Sequence, residues 1–217
     1  MTGIPEVSKR RTKQRGSAMV EFLVCMGLVW MPLFLGTCQI GFQLIQAVQV
    51  TQVCRDAGHL YAYGVNFTQS STQYLLAGFS PNLQIDPTGA GGSSVVILST
   101  VNYIGLADCQ AGGYSSTCPN YGLIVFTNQI VVGEVSLHAS VYGTPSTNSA
   151  GSVAAGSPSA AGYLNQSNAL VQGFPTISLA TGATGQQTAY ISEMYSKSTG
   201  LNWFFRGTNW VSSVSFF

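Results

Sequence analysis

Residues that could carry out acid–base, nucleophilic or metal chemistry are few in this sequence and lie far apart along it. Only two histidines occur, His59 and His138. His138 belongs to a predicted strand that also carries Glu134, but four strand residues would separate the two by about 13 Å. No Cys-x-x-Cys pair, glycine-rich phosphate loop or nucleophile elbow is present. We therefore predict no catalytic residue, no metal site and no cofactor, in a protein that is not an enzyme.

Two cysteines at short spacing predict a covalent bond. Cys109 and Cys118 enclose the segment Gln-Ala-Gly-Gly-Tyr-Ser-Ser-Thr. Outside the cytoplasm such a pair is typical of a disulfide-closed loop. The alternative is two free thiols in a mobile loop. Cys25 and Cys38 lie about 20 Å apart along one predicted helix, so they cannot bridge within a chain.

A single carboxylate interrupts a long apolar run. Glu21 is the only charged residue between Arg15 and Arg55. A carboxylate costs about 2.5–3.5 kcal/mol at the centre of a membrane helix and less near the interface. One hypothesis is that Glu21 is kept in the run because it pairs with a group of opposite charge. The other is that it lies near the cytoplasmic interface and reaches water by itself.

Composition excludes several classes of protein. Charged residues make up 7% of the chain and hydrophobic residues 46%, whereas a soluble domain carries about 25% charged residues. Five of the eight basic residues lie in the first fifteen positions: Lys9, Arg10, Arg11, Lys13 and Arg15. After Gly16, three basic residues stand against six acidic ones, a net charge of −3. The low content of charged residues argues against a cytosolic enzyme. The lack of a basic stripe after Gly16 argues against nucleic-acid binding.

The apolar run predicts the helix that carries Glu21. A helix from Phe22 to Val50 would be about 43 Å long, whereas a membrane span needs about 20 residues. We therefore predict one helix that spans the membrane and then projects, kinked or loosened at Pro32. Because the basic residues precede the run, the N-terminus is predicted to be cytoplasmic and the rest periplasmic or extracellular.

The projecting half of this helix carries an uncharged polar stripe. Gln39, Gln43, Gln46 and Gln49 recur at helical spacing beside aliphatic residues. The stripe is consistent with a helix end in the headgroup layer, or with a helix that packs against other copies of itself.

Three kinds of processing signal compete near the N-terminus. The apolar run is too long for an ordinary signal peptide, and no clean Ala-x-Ala follows it. Leu-Gly-Thr-Cys, ending at Cys38, has the form of a lipoprotein site, but threonine is a poor residue before the cysteine. Arg15 to Phe22 reads Arg-Gly-Ser-Ala-Met-Val-Glu-Phe. This segment resembles the type IV pilin family, and more narrowly the TadE-type pseudopilins of tight-adherence (Tad) pili; the resemblance covers residues 9–60.

The resemblance implies both processing and assembly. A prepilin peptidase would cut between Gly16 and Ser17, since glycine has no side chain to block the backbone. Glu21 would then be the fifth residue of the mature chain, followed by the aromatic Phe22, and the free α-amino group of Ser17 on a neighbouring chain would be its natural partner. The implied partners are other pilin or pseudopilin subunits, the inner-membrane assembly platform, the peptidase and the membrane. Because a large segment follows the helix, a minor pilin or pseudopilin is favoured over the bulk filament subunit.

The remainder of the chain is predicted to form a β-rich head. Predicted strands are Ser94–Ile104, Tyr121–Phe126, Glu134–Tyr142, Thr188–Tyr195 and Trp210–Phe217, the third being the clearest because it alternates strictly. Val53–Tyr63 could continue the helix, and prolines and glycines at 81–92 indicate a loop. A Gly/Ser/Ala-rich segment at 143–162 is predicted to be a flexible loop.

The predicted organisation is therefore α+β. A leader at 1–16 precedes a transmembrane and projecting helix at 17–58 and a small antiparallel β-rich head at 59–217. The predicted function is that of a minor pilin or pseudopilin in a Tad or type IV-like pilus for adhesion or secretion. The alternative is a single-pass anchored binding protein or adhesin that does not polymerise and keeps its leader.

Overall fold

The computed structural model describes the backbone of residues 14–153, 162–174, 188–198 and 210–217, with side chains from Ala18 onward. By its internal contacts the chain forms two units, Met1–Leu44 and Ile45–Phe217. We refer to the second unit as the head. The helix that begins in the first unit continues by covalent connection into the head.

The first element, α1, is a long helix at Gln14–Ala62. Ala18–Ala62 includes a stretch that is long and apolar enough to cross a membrane, with none of that stretch buried. The helix continues through Pro32, as prolines in membrane helices do when the freed backbone groups find other partners.

A four-stranded antiparallel sheet forms the centre of the head. Its strands are β1 (Ser94–Tyr103), β2 (Ile124–Gly133), β3 (Thr188–Lys197) and β4 (Trp210–Phe216). They lie in the order β2-β1-β3-β4. The β1–β2 register shifts between Thr100 and Val101, which marks a bulge.

One face of the sheet is covered by the part of α1 that belongs to the head. Its buried residues recur at helical spacing along one stripe: Val50, Val53, Cys54, Ala57 and Tyr61. Sheet residues in the same cluster alternate along their strands, as Val96 and Leu98 do on β1, and Met194 of β3 joins them. Burial of such side chains stabilises the head by about 1.5–3 kcal/mol each.

Two short helices complete the described part of the head. Helix α2 (Ser70–Phe79) adds Leu76 to the core beside α1. Helix α3 (Leu106–Ala111) follows β1, and its Asp108 carboxylate accepts a hydrogen bond from the Gly105 N–H at 2.8 Å. Neither helix is among the elements predicted from the sequence, because both are short.

Three predicted strands agree with the structure and two need correction. The predictions for β1, β3 and β4 are confirmed within one or two residues. The second strand begins later than predicted, since Tyr121–Leu123 forms a turn and the strand continues from Ile124 to Gly133.

The strand predicted at Glu134–Tyr142 is wrong. Gly133 adopts a φ of +104°, a conformation that other residues rarely adopt, and the chain leaves the sheet there. The Glu134 carboxylate then accepts bonds from the Ser136 N–H at 3.1 Å and the Ser136 hydroxyl at 2.7 Å, which stabilise a local turn. His138 is therefore not on a strand, and the distance predicted between His138 and Glu134 does not apply.

The segment predicted as a flexible loop lies only partly within the described residues, since 154–161 fall outside them. Its first part borders β2: the Val153 N–H bonds to the Thr127 carbonyl at 3.1 Å, and Val153 itself is buried. The overall prediction of an α+β fold, a long N-terminal helix followed by an antiparallel sheet, is confirmed.

Candidate assembly segment and polar clusters of the head

The residues predicted to act in processing lie at the start of α1. Gly16 and Ser17 are within its described backbone, and the leader residues 1–13 fall outside the described part of the chain. Glu21 and Phe22 follow one turn later, both exposed, with Phe22 at 63% exposure. The carboxylate and the aromatic ring are adjacent in sequence and therefore leave the helix in different directions.

Large hydrophobic side chains are exposed along much of α1, on all sides of the helix in the first unit. Large exposed hydrophobic side chains recur from Met19 to Val48. The last of these, Ile45 and Val48, belong to the head and are each 56% exposed. Thr51, Gln52, Arg55 and Asp56 then form a polar exposed face. Within the head, the exposed side of α1 therefore changes from apolar to polar between residues 48 and 51.

The glutamine stripe has a partner within the chain. The Gln46 side-chain amide donates to the Ser196 hydroxyl at 3.0 Å and to the Lys197 carbonyl at 3.1 Å. At this position the stripe binds the end of β3. The Gln46 amide therefore has hydrogen-bond acceptors within the chain and does not need another copy to supply them. The neighbouring apolar residues Ile45 and Val48 are exposed.

A buried carboxylate lies on the opposite face of the sheet, where the sequence reasoning assigned no role. Glu193 on β3 is fully buried. It accepts bonds from the Ser140 hydroxyl, from the Val141 N–H at 3.1 Å and from the Tyr195 hydroxyl at 2.7 Å. A charged residue inside a predicted strand was the available signal, because such a residue is rarely buried without partners.

This cluster holds the segment after β2 against the sheet. The His138 ring stacks on Tyr195 with the ring centres 3.8 Å apart, and Trp210 of β4 meets His138 edge-on at 5.9 Å. Burial, and then the bond to Glu193 and its charge, raise the pKa of Tyr195 well above its usual value. The phenol therefore stays protonated and continues to donate its hydrogen bond to Glu193. The role of the cluster is to hold the segment after β2 on the sheet.

Cys54 lies at the contact between α1 and the sheet. Its thiol is buried and donates to the Ser192 carbonyl at 3.2 Å, while the Ser192 hydroxyl donates to the Cys54 carbonyl at 2.8 Å. Burial raises the pKa of this thiol, so its reactive thiolate form is disfavoured. These bonds give Cys54 a packing role, which the sequence alone did not indicate.

Cys109 and Cys118 are brought together by α3 and the following turn. The structure joins them by a disulfide with their Cα atoms 5.3 Å apart, and both side chains are buried. Among the residues that the structure describes, no group of three or more His, Cys, Asp or Glu side chains is placed to hold a metal ion.

We expect this disulfide to be present in protein taken from its native compartment. Closing so short a loop contributes somewhat under 3 kcal/mol in the chain-entropy model. Alkylation before and after reduction, followed by peptide mapping, shows whether Cys109 and Cys118 are joined. Reduction should expose two new thiols in this loop, and modification of both cysteines without a reductant would contradict the prediction.

Comparison with known proteins bears on α1 and not on the sheet. A family model described as TadE-like protein matches residues 16–59. No curated protein and no solved structure was found to match the chain. The matched segment begins at Gly16, contains Glu21 and Phe22, and ends at His59 near the end of α1. The match confirms, over residues 16–59, the resemblance to the TadE-like family, a pilin-like family associated with the Tad pilus.

Proposed function

We propose that this protein is a minor pilin or pseudopilin that a prepilin peptidase processes and that takes part in assembling a Tad or type IV-like pilus for adhesion or secretion. The single observation that carries the proposal is the family match over residues 16–59 of α1. The exposed apolar side chains along the same helix support it.

The length can be compared with a bilayer. From Met19 to Val48 the exposed apolar face extends 29 residues, or about 43 Å, against a hydrocarbon thickness of about 30 Å. The part outside the hydrocarbon would lie in the headgroup layers before assembly, since these layers bring the bilayer to about 40–45 Å. In a helical assembly, packing against neighbouring helices would bury the same side chains.

Processing would prepare α1 for that packing. The proposed cleavage after Gly16 removes the basic leader and leaves a free α-amino group on Ser17, four residues before Glu21. The proposed partners are other pilin or pseudopilin subunits, the assembly platform and the peptidase. The proposed orientation places the N-terminus in the cytoplasm and the head, with its disulfide, in the periplasm or outside the cell.

The mature N-terminus tests the proposal. We expect mass spectrometry of protein from its native membrane to find a chain that begins at Ser17. Gly16→Leu should block this cleavage because a side chain would meet the peptidase where glycine leaves space. Gly27→Leu, in the same helix with nothing near the added side chain, is the matched control and should be processed normally. A native chain that retains Met1 in the presence of its peptidase would instead support a plain anchored binding protein.

A further inference from the structure

One end of the sheet is the end from which α1 leaves the head. We name it the anchor end and define it by the residues that lie side by side there: Ser94, Gly133, Lys197 and Trp210. Gln46 of α1 binds Ser196 and Lys197 at this end. Farther along α1, Tyr61 binds Thr100 at 2.8 Å, which shows that the helix runs from the anchor end toward the other end of the strands.

The position of Gln46 along α1 relates the anchor end to the membrane. A span that begins at Phe22 and crosses about 30 Å of hydrocarbon ends near residue 42. The outer headgroup layer adds about 5–7 Å, or about four more residues. On this arithmetic the headgroup layer ends at about residue 46, level with the anchor end.

The anchor end carries exposed apolar and aromatic side chains. Trp210 starts β4 and is 37% exposed. Val135 lies in the turn whose Glu134 N–H bonds to the Ser94 carbonyl, and it is 61% exposed. Tryptophan is the residue most typical of a membrane–water interface.

Charge at this end gives no attraction to anionic lipid. Lys197 is exposed there, but Glu134 and Asp86 lie in the adjoining turns, and the Ile85 backbone pairs with Ser94. These described charges amount to one cation against two carboxylates. A contact with lipid would therefore depend on apolar and aromatic side chains, and would not require anionic headgroups.

We propose that, before assembly, the anchor end of the head lies in the outer headgroup layer of the bilayer, with Trp210 and Val135 against lipid. This inference rests on the proposed membrane location of α1. The head is then held against the bilayer surface by two attachments, the helix and the anchor end. Incorporation into a pilus would have to withdraw this end from lipid as well as the helix.

Tryptophan fluorescence of the full chain in zwitterionic vesicles tests the proposal. The chain has three tryptophans, Trp30, Trp203 and Trp210. Trp30→Phe with Trp203→Phe leaves Trp210 as the only reporter. Adding Trp210→Phe and Val135→Trp moves the reporter to the turn. Adding Trp210→Phe and Tyr121→Trp moves it to a matched control site beyond the opposite end of the strands, where Tyr121 is 46% exposed.

The two anchor-end reporters should lose intensity with lipids brominated near the headgroup and should be protected from aqueous iodide. Their emission should shift to shorter wavelength when the protein enters vesicles. The Tyr121→Trp reporter should be quenched by iodide and not by brominated lipid. If both anchor-end reporters behave like this control, the inference is wrong.

A fourth variant separates this inference from the proposed function. Trp203→Phe with Trp210→Phe leaves only Trp30, inside the span, which lipids brominated deep in the chain should quench. Quenching of Trp30 without quenching at the anchor end would overturn the headgroup contact alone. Failure of Trp30 to respond would overturn the membrane location, and the inference with it. Replacing part of the zwitterionic lipid with anionic lipid should leave the anchor-end quenching unchanged.

Discussion

Gly58→Ala is expected to lower the free energy of unfolding of the head by about 1–3 kcal/mol. Gly58 is buried in the stretch of α1 that packs on the sheet. A Cβ added there would lie 2.9 Å from the Cβ of Ser192 and would overlap the ring of Phe217. The ring could move aside, but Ser192 is part of a central strand, so the helix itself would have to separate from the sheet.

The sign of this effect is informative because helix propensity predicts the opposite. Alanine in place of glycine in a helix interior is favourable by about 1 kcal/mol when nothing obstructs it. Gly78→Ala in α2 is the matched control, since an added Cβ at Gly78 has no atom within 4 Å. It should raise stability by up to about 1 kcal/mol. The two substitutions, chemically identical, should therefore move stability in opposite directions.

Urea unfolding of the full chain in a mild detergent, followed by near-ultraviolet circular dichroism, measures both changes. The midpoint should fall for Gly58→Ala and rise slightly for Gly78→Ala. An unchanged or raised midpoint for Gly58→Ala would mean that α1 does not pack on β3 as closely as described.

The parts of the fold that the sequence predicts are those governed by local pattern. The long apolar run predicts α1, and β-branched or aromatic runs predict β1, β3 and β4. The failure at Glu134–Tyr142 has a specific cause. Its alternation is real, but Gly133 turns the chain off the sheet, and the segment is held by Glu193, which lies far along the sequence. A contact of that kind has no local signature.

The candidate site also divides into features that a local sequence pattern predicts and features that depend on contacts between distant residues. The resemblance at Gly16, Glu21 and Phe22 implied a processing and assembly segment, which stays a prediction; the family match spans these residues. The contact of Gln46 with the end of β3 could not be predicted, because it depends on how the strands are ordered. Periodicity identified the glutamine stripe but not what the stripe binds. Only the folded head shows that Gln46 has a partner within the chain, while Ile45 and Val48 near it are exposed.

Glu21→Gln is expected to leave insertion and processing largely intact and to impair assembly strongly. Glu21 is exposed on α1 and is the only charged residue between Arg15 and Arg55. Glutamine keeps the size of the side chain and removes its charge. Insertion should be unchanged or slightly favoured, because a charge in a membrane helix is penalised. Cleavage after Gly16 should persist, because the scissile bond lies more than one helical turn away.

Assembly is expected to fail because the proposed partner of Glu21 is a charge on another subunit. In the proposed assembly α1 would move from lipid into a packed array of helices, and the carboxylate would lose access to the aqueous interface. Pairing with the Ser17 α-amino group of a neighbour would offset that cost, whereas removing one member would leave the other charge buried and unpaired. Breaking a buried pair in this way costs about 3–5 kcal/mol, enough to reduce incorporation by more than tenfold.

The measurement compares wild type, Glu21→Gln and Glu21→Asp for leader processing and for co-purification with partner pilins. Glu21→Asp is the matched control, because it keeps the charge on a shorter side chain, and it should retain part of the assembly. If the Glu21 side chain only extends to water at the cytoplasmic interface, all three proteins should co-purify equally with the partner pilins. Normal co-purification of a correctly processed Glu21→Gln protein would therefore reject the intermolecular pair while leaving the membrane anchor and the cleavage site unaffected.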